Sequence, residues 1–168
     1  MPTKETAQFQ MAKPLSDKIL ECIGTAAELY YRLIMVVAPA GMGKTAALQN
    51  VHERTNAPLV NVNLDLSRRM LDLTERQRAL QLPRLLSEIV NACENDVILL
   101  DNIEMLFDVS LKQDPLRLLQ GLSRNKTVVA AWSGSVVGDQ MVYATSDHPE
   151  YRRYPLRDFL AVQAEVAA

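Results

Sequence analysis

The sequence has little that would serve as a staple, an anchor or a magnet. Of its 168 residues only two are cysteine, Cys22 and Cys93, too few and too far apart for a metal knuckle or a disulfide framework. Both stand among apolar, helix-forming residues. They read as reduced, buried thiols, and with them comes a cytoplasmic location. The two histidines, His52 and His148, are isolated and make no catalytic dyad. Charges nearly cancel, with 18 Lys and Arg against 20 Asp and Glu and a pI near 5.7, so no global basic field exists to hold nucleic acid. The longest apolar run, Leu33 to Ala40, falls far short of the ~20 residues of a membrane span, and no membrane partner is expected. Residues 1–14 include Lys4, Glu5 and Lys13 and lack the apolar stretch of a signal peptide; they read as a flexible N-terminal arm. No repeat or low-complexity tract interrupts the rest.

What remains is ordinary globular usage, 48% apolar and 23% charged in 18.8 kDa. A chain of this size buries about 70% of its unfolded surface, so residues 15–168 are expected to form a single domain. Apolar positions Leu15, Ile19, Ile23, Ala26 and Tyr30 have helical spacing and predict a helix over Leu15–Tyr31. Leu33–Val37 predicts a strand buried on both faces. A turn rich in Pro and Gly follows, and then a helix from Lys44 to His52, closed by Asn56 and Pro58. Leu59–Leu64 alternates apolar and polar residues and predicts a second strand. Thr74 with Gln77 predicts a capping box, and Pro83 a break or kink before a further helical stretch, Leu85–Cys93. Asp96–Asp101 predicts the third strand, Pro115–Leu122 a helix, Thr127–Trp132 the fourth strand and Gln140–Ala144 a fifth.

Strands alternating with helices, and apolar on both faces, predict a three-layer α/β domain around a mostly parallel five-stranded sheet. Right-handed crossovers in such a sheet gather the C-terminal strand ends on one edge, where ligands bind. Three motifs fall there. Ala38-Pro39-Ala40-Gly41-Met42-Gly43-Lys44-Thr45 matches the relaxed phosphate-loop pattern, with Ala38 at the usual first glycine. Backbone N–H groups of Ala40, Gly41, Met42, Gly43, Lys44, Thr45 and Ala46 would cradle a triphosphate at a helix N-terminus. The Lys44 ammonium would meet the β and γ phosphates, and the Thr45 hydroxyl would ligate Mg²⁺. No guanine-specifying motif appears, so ATP is the expected nucleotide.

The second motif is Val97–Asp101, an apolar strand ending in a carboxylate that would join the Mg²⁺ shell. Many ATPases of this kind place a glutamate next, to polarise the attacking water. Here that position is Asn102, and the nearest carboxylate is Glu104. Either Glu104 reaches the γ-phosphate through a tight turn, or it is a solvated first-turn residue starting a helix. The third is Ser133, placed to sense the γ-phosphate or orient the water, or else simply a serine in a turn. Candidate arginine fingers are Arg124, Arg152, Arg153 and Arg157, the middle two within the dense His148–Pro155 segment, which reads as a subunit contact or as C-terminal packing. Arg68, Arg69, Arg76, Arg78 and Arg84 make a locally basic stretch, either a solvated helix face or a surface for DNA or a partner.

The spacing of Lys44 and Asp101 resembles the AAA and RecA-like branch of phosphate-loop NTPases, which inserts a strand between the two motifs. With Asp-Asn-Ile-Glu (101–104) and the terminal His-Pro-Glu-Tyr-Arg-Arg-Tyr (148–154), the chain resembles the BrxF family, compact phosphate-loop components of type III bacteriophage-exclusion (BREX) systems. The resemblance runs from about Leu33 to Tyr154. It implies a part in bacterial phage defence alongside a methyltransferase, a phosphatase-like protein and other ATPases. The chain is read as lacking the C-terminal helical lid of AAA proteins, so closure would come from self-assembly or a partner. The expected activity is a weak Mg-ATPase or nucleotide switch working as an oligomer. The alternatives are a non-hydrolysing nucleotide-binding adaptor or a DNA-contacting subunit.

Overall fold

The computed structural model describes residues 13–164; nearly all of the expected N-terminal arm lies outside the described residues. Five parallel strands form the centre, in the order β2–β3–β4–β1–β7, with β1 Leu33–Ala38, β2 Leu59–Asn61, β3 Val97–Asp101, β4 Thr127–Val137 and β7 Leu160–Gln163. Two more strands, β5 Gln140–Tyr143 and β6 Arg152–Pro155, run antiparallel off the far end of β4. The helices are α1 Leu15–Ala26, α2 Lys44–Thr55, α3 Val62–Met70, α4 Glu75–Asn91 and α5 Pro115–Leu122.

Alternation along each central strand produces the layers. Leu33, Met35 and Val37 of β1 face one way, with Ile98 and Leu100 of β3 and Val128, Ala130 and Trp132 of β4, against α3, α4 and α5. Ile34, Val36, Leu99, Val129 and Ala131 face the other way, against Ile19 of α1 and Leu48 and Val51 of α2. A period of two on a sheet covered on both sides requires the unbroken apolar runs seen in the sequence. The result is a mostly parallel α/β sheet with helices on both faces, and β4 lies between β1 and β3. Among the described residues no helix is long and apolar enough to cross a membrane.

Five expectations are corrected. The predicted strand Leu59–Leu64 ends at Asn61, because the Asn61 side chain accepts the Leu64 N–H and starts α3. Val62, Leu66 and Met70 then form one buried helical stripe. Pro83 does not divide α4, which runs unbroken over 17 residues from the expected Thr74–Gln77 capping box. A proline here leaves the Ala79 carbonyl without its helical donor, and the Gln113 amide supplies one at 2.7 Å. The fifth parallel strand is β7, not Gln140–Ala144, which instead forms the hairpin. The helix predicted to Tyr31 stops at Ala26, and Tyr30 instead packs edge-on to Tyr31 and under the Arg124 guanidinium. Cys22 and Cys93 are half-buried rather than buried, and burial pushes the Cys22 thiol pKa up.

The hairpin closes over an aromatic cluster. Tyr143 stacks on Phe107 with ring centroids 3.6 Å apart, and Trp132 meets Phe107, Tyr143 and Tyr154 edge to face. Trp132 Nε1 donates to the Val142 carbonyl at 3.1 Å, passing over Gly134. A Cβ on Gly134 would lie 2.0 Å from that carbonyl oxygen and 2.8 Å from the indole nitrogen. Gly134→Ala is therefore expected to cost about 2 kcal/mol, a fall of roughly 4–8 °C in the thermal midpoint for a domain of this size. An unchanged midpoint would show that the hairpin does not dock on Trp132 in this way.

Candidate functional site

The C-terminal edge of the sheet brings together residues far apart in sequence. Register places Ser133 opposite Ala38 and Asn61 opposite Asp101. Between β1 and α2 the chain turns through Gly41 (φ 77°) and Gly43 (φ 91°), left-handed conformations that a side chain resists. Ala38 has no positive φ and ends β1 as an ordinary strand residue, so alanine in place of the usual glycine strains nothing.

The start of α2 differs from those of α3, α4 and α5. Side chains of Asn61, Thr74 and Asp114 cap α3, α4 and α5. The cap of α2 is Gly43, which has no side chain to offer, and its first turn carries no acidic residue. Neither the cap nor the first turn of α2 therefore supplies a side-chain acceptor or an anion of its own to the positive end of the helix dipole.

Lys44 is 7% exposed and folds back, its ammonium donating to the carbonyls of Ala38 at 2.8 Å and Pro39 at 3.0 Å. Burial pulls its pKa below the usual lysine value, while the Glu104 and Asp101 carboxylates oppose that shift. Thr45 Oγ1 donates to Asp101 Oδ2 at 2.7 Å, joining the helix start to the end of β3. Ala40, Gly41, Gly43, Lys44, Thr45, Ala46, Asp101, Asn102, Glu104 and Ser133 line one pocket of about 340 Å³. Of the seven residues Ala40–Ala46 expected to cradle phosphate, only Met42 is absent from that lining; it is 49% exposed.

The backbone makes Glu104 both a first-turn helix residue and a residue of the pocket lining. Asn102 adopts φ 52°, a left-handed turn that asparagine tolerates better than glutamate. The Asn102 carbonyl accepts the Asn63 N–H at 2.9 Å, and a short 3₁₀ helix, Glu104–Phe107, starts at once. The turn returns Glu104 to the pocket, where Ser133 Oγ donates to its Oε1 at 3.0 Å and Asn63 Nδ2 to its Oε2 at 3.3 Å. Glu104 is thus a held carboxylate facing the loop.

Asn63 was not foreseen. Read as the middle of a strand, it gave no sign of function, yet its Oδ1 also accepts the Met105 N–H at 2.9 Å. One side chain fixes both the turn and the carboxylate. The only available signal was the Asn61–Asn63 pair opening an i, i+4 apolar stripe.

The arginines do not gather here. Arg152 donates to the Gln113 carbonyl and Arg153 to the Gln140 side chain, both on or beside the hairpin. Arg124 lies 4.9 Å above the Tyr30 ring. None of these, nor Arg157, lines the pocket. Tyr154 of the same segment donates to Asp114 at 2.8 Å, and burial followed by that hydrogen bond raises its pKa. Tyr154 therefore serves internal packing. In the basic stretch, Arg78 caps the end of α3 through the Met70 and Leu73 carbonyls, and Arg69 and Arg84 pair with Glu88.

A second cleft, about 540 Å³, shares Ala40, Glu104 and Ser133 with the first and continues to Ser135, Tyr143, His148 and Glu150. Burial, with Glu150 and Glu104 adding to it, pushes the Tyr143 phenol up to about 12. Its hydroxyl stays protonated at neutral pH.

No family model matches the chain, and no curated protein matches it. Among solved structures the chain is similar to C. elegans PCH-2, at 15% identity and a TM-score of 0.39, over 89% of this chain. The chain spans 39% of that protein's length. A likeness so slight carries no residue role or activity across.

Replacing Asn63 tests the geometry without reference to any ligand. Asn63→Ala removes the partner of the Met105 amide and one support of Glu104, at an expected cost of about 1 kcal/mol. Amide hydrogen exchange at Met105 should accelerate at least several-fold; protection equal to the parent protein would contradict the clamp.

Proposed function

We propose that the protein is a Mg²⁺-dependent, ATP-binding phosphate-loop ATPase or nucleotide switch with an AAA/RecA-like core. One observation carries the reading: Thr45 Oγ1 lies 2.7 Å from Asp101 Oδ2 at the mouth of a loop whose lysine is turned inward and whose helix start has no side-chain cap. Lys44, Thr45 and Asp101 have the charges and atoms that a nucleoside triphosphate with its cation requires.

The donor set suits magnesium. A hydroxyl and a single carboxylate, both hard oxygen donors, meet at one spot, and among the described residues no group of three or more His, Cys, Asp or Glu makes a self-sufficient metal cage. Mg²⁺ is commonly held in this way, by one or two carboxylates together with substrate phosphates. Thr45 and Asp101 would hold it, and it would neutralise phosphate charge during transfer.

The chain's own groups account for the rest. Backbone N–H groups from Ala40 to Ala46 bind phosphate oxygens, and Lys44 exchanges its carbonyl partners for the β and γ phosphates. Glu104, oriented by Ser133 and Asn63, takes a proton from a water whose oxygen attacks the γ-phosphorus. The bond to the β–γ bridging oxygen breaks, and ADP and phosphate leave. Among the described residues Lys44 is the one cation in the pocket lining. Slow turnover follows, with faster turnover where a second subunit adds an arginine. The motif residues 101–104 and 148–154 support a role as a BrxF-type component of a bacterial phage-defence assembly, working in the cytoplasm with other defence proteins.

A second reading, a nucleotide-binding adaptor without hydrolysis, is favoured by Asn102, which occupies the position that usually carries the glutamate. Steady-state ATP turnover over a range of protein concentrations decides between them. Turnover should be abolished by Lys44→Ala and fall about 10²–10³-fold in Glu104→Gln, with nucleotide affinity retained in the latter. A faster than linear rise with concentration is the expected mark of assembly. Turnover no greater than that of Lys44→Ala would establish the adaptor.

A further inference from the structure

We propose that His148 is a γ-phosphate contact, the group through which the site distinguishes ATP from ADP. The inference rests on the reading of the loop as an ATP site. His148 lies on the turn after β5 and lines, with Pro39 and Ala40 of the loop, the cleft that shares Ala40, Glu104 and Ser133 with the loop pocket.

Its tautomer is set by its neighbours. The Glu150 backbone N–H donates to His148 Nδ1 at 3.0 Å, so Nδ1 is the acceptor and the neutral ring carries its proton on Nε2. Nε2 is then a hydrogen-bond donor, and among the described residues the ring's one side-chain hydrogen bond is the one at Nδ1. The turn itself is braced: the His148 N–H donates to the Thr145 carbonyl at 2.9 Å, and the His148 carbonyl accepts the Tyr151 N–H at 3.0 Å. The position of the ring is therefore braced by three hydrogen bonds before any ligand arrives.

The charge pattern gives that donor its purpose. The side of the pocket nearest the cleft carries the Glu104 carboxylate, and the cleft adds Glu150. Among the described residues, no lysine or arginine lines the cleft. A terminal phosphate reaching past Ala40 meets these carboxylates with Lys44 as its one nearby cation. An N–H donor in the same cleft offsets the repulsion, and the γ-phosphate is the part of the nucleotide that would use it. ADP ends at the loop.

The test is a calorimetric titration, with Mg²⁺, of ADP and of a non-hydrolysable ATP analogue into the parent protein, His148→Ala and His148→Gln. Hydrogen bonds to a charged group are worth enough that His148→Ala should weaken the ATP analogue about tenfold or more. ADP affinity should be unchanged, which also shows that the variant is folded. Glutamine places an N–H near the position of Nε2, so His148→Gln should recover most of the loss. Equal weakening of both nucleotides, or of neither, would overturn the role of His148 while leaving the ATP site standing. Failure of the parent protein to bind either nucleotide would overturn the underlying reading as well.

Discussion

Thr45 and Asp101 are 56 residues apart in sequence, on elements separated by the whole width of β4, and yet share a 2.7 Å hydrogen bond. That contact is available only because β1, β4 and β3 run parallel and end along the same edge. Parallel pairing in turn requires crossovers, which cover both faces with helices and demand strands apolar throughout. The composition of β1, 0–3% exposed at every position, follows from where Asp101 must stand.

The edge so formed is electrostatically unfinished from within. Three helices close their first turns with their own side chains; α2 closes its own with glycine. Lys44 uses two backbone carbonyls and remains buried at a cost to its charged form. An anion at the loop would relieve both conditions together, satisfying N–H groups and ammonium in one event. The carboxylates of Asp101 and Glu104 in the same lining would repel an anion that brings no cation with it. They favour one that brings a cation with it or extends between them.

The parts of this arrangement encoded in contiguous residues were legible in the sequence. The Ala38–Thr45 loop, the strand ending at Asp101, the Thr74–Gln77 capping box and the Asp114-capped helix each depend on neighbours within a few positions. The parts set by distant contacts were not. Strand β7 has four residues and no internal pattern, and it exists because Ile34–Val37 offers a free edge. The continuity of α4 through Pro83 depends on Gln113, thirty-four residues from the carbonyl it satisfies. Asn63 read as a strand residue because Val60, Val62 and Leu64 alternate; the Asn61 cap overrides that period. Glu104 could be named but not placed, since the left-handed turn at Asn102 depends partly on a hydrogen bond from Asn63. His148 looked solitary because its relation to the loop runs through the β5–β6 hairpin, whose docking depends on Trp132 and Phe107.

Phe107 belongs to the same short helix as Glu104 and stacks on Tyr143 of the hairpin. The two walls of the cleft therefore rest on one aromatic cluster, and the cleft keeps its shape as long as that cluster packs. The central claim concerns the Thr45–Asp101 pair, and titrating ATP into the protein with and without Mg²⁺, alongside Asp101→Asn, tests it most directly. The account predicts that Mg²⁺ tightens ATP binding by about tenfold or more in the parent protein and that most of this gain disappears in the variant. ATP binding that is indifferent to Mg²⁺, or a gain that survives in Asp101→Asn, would contradict it.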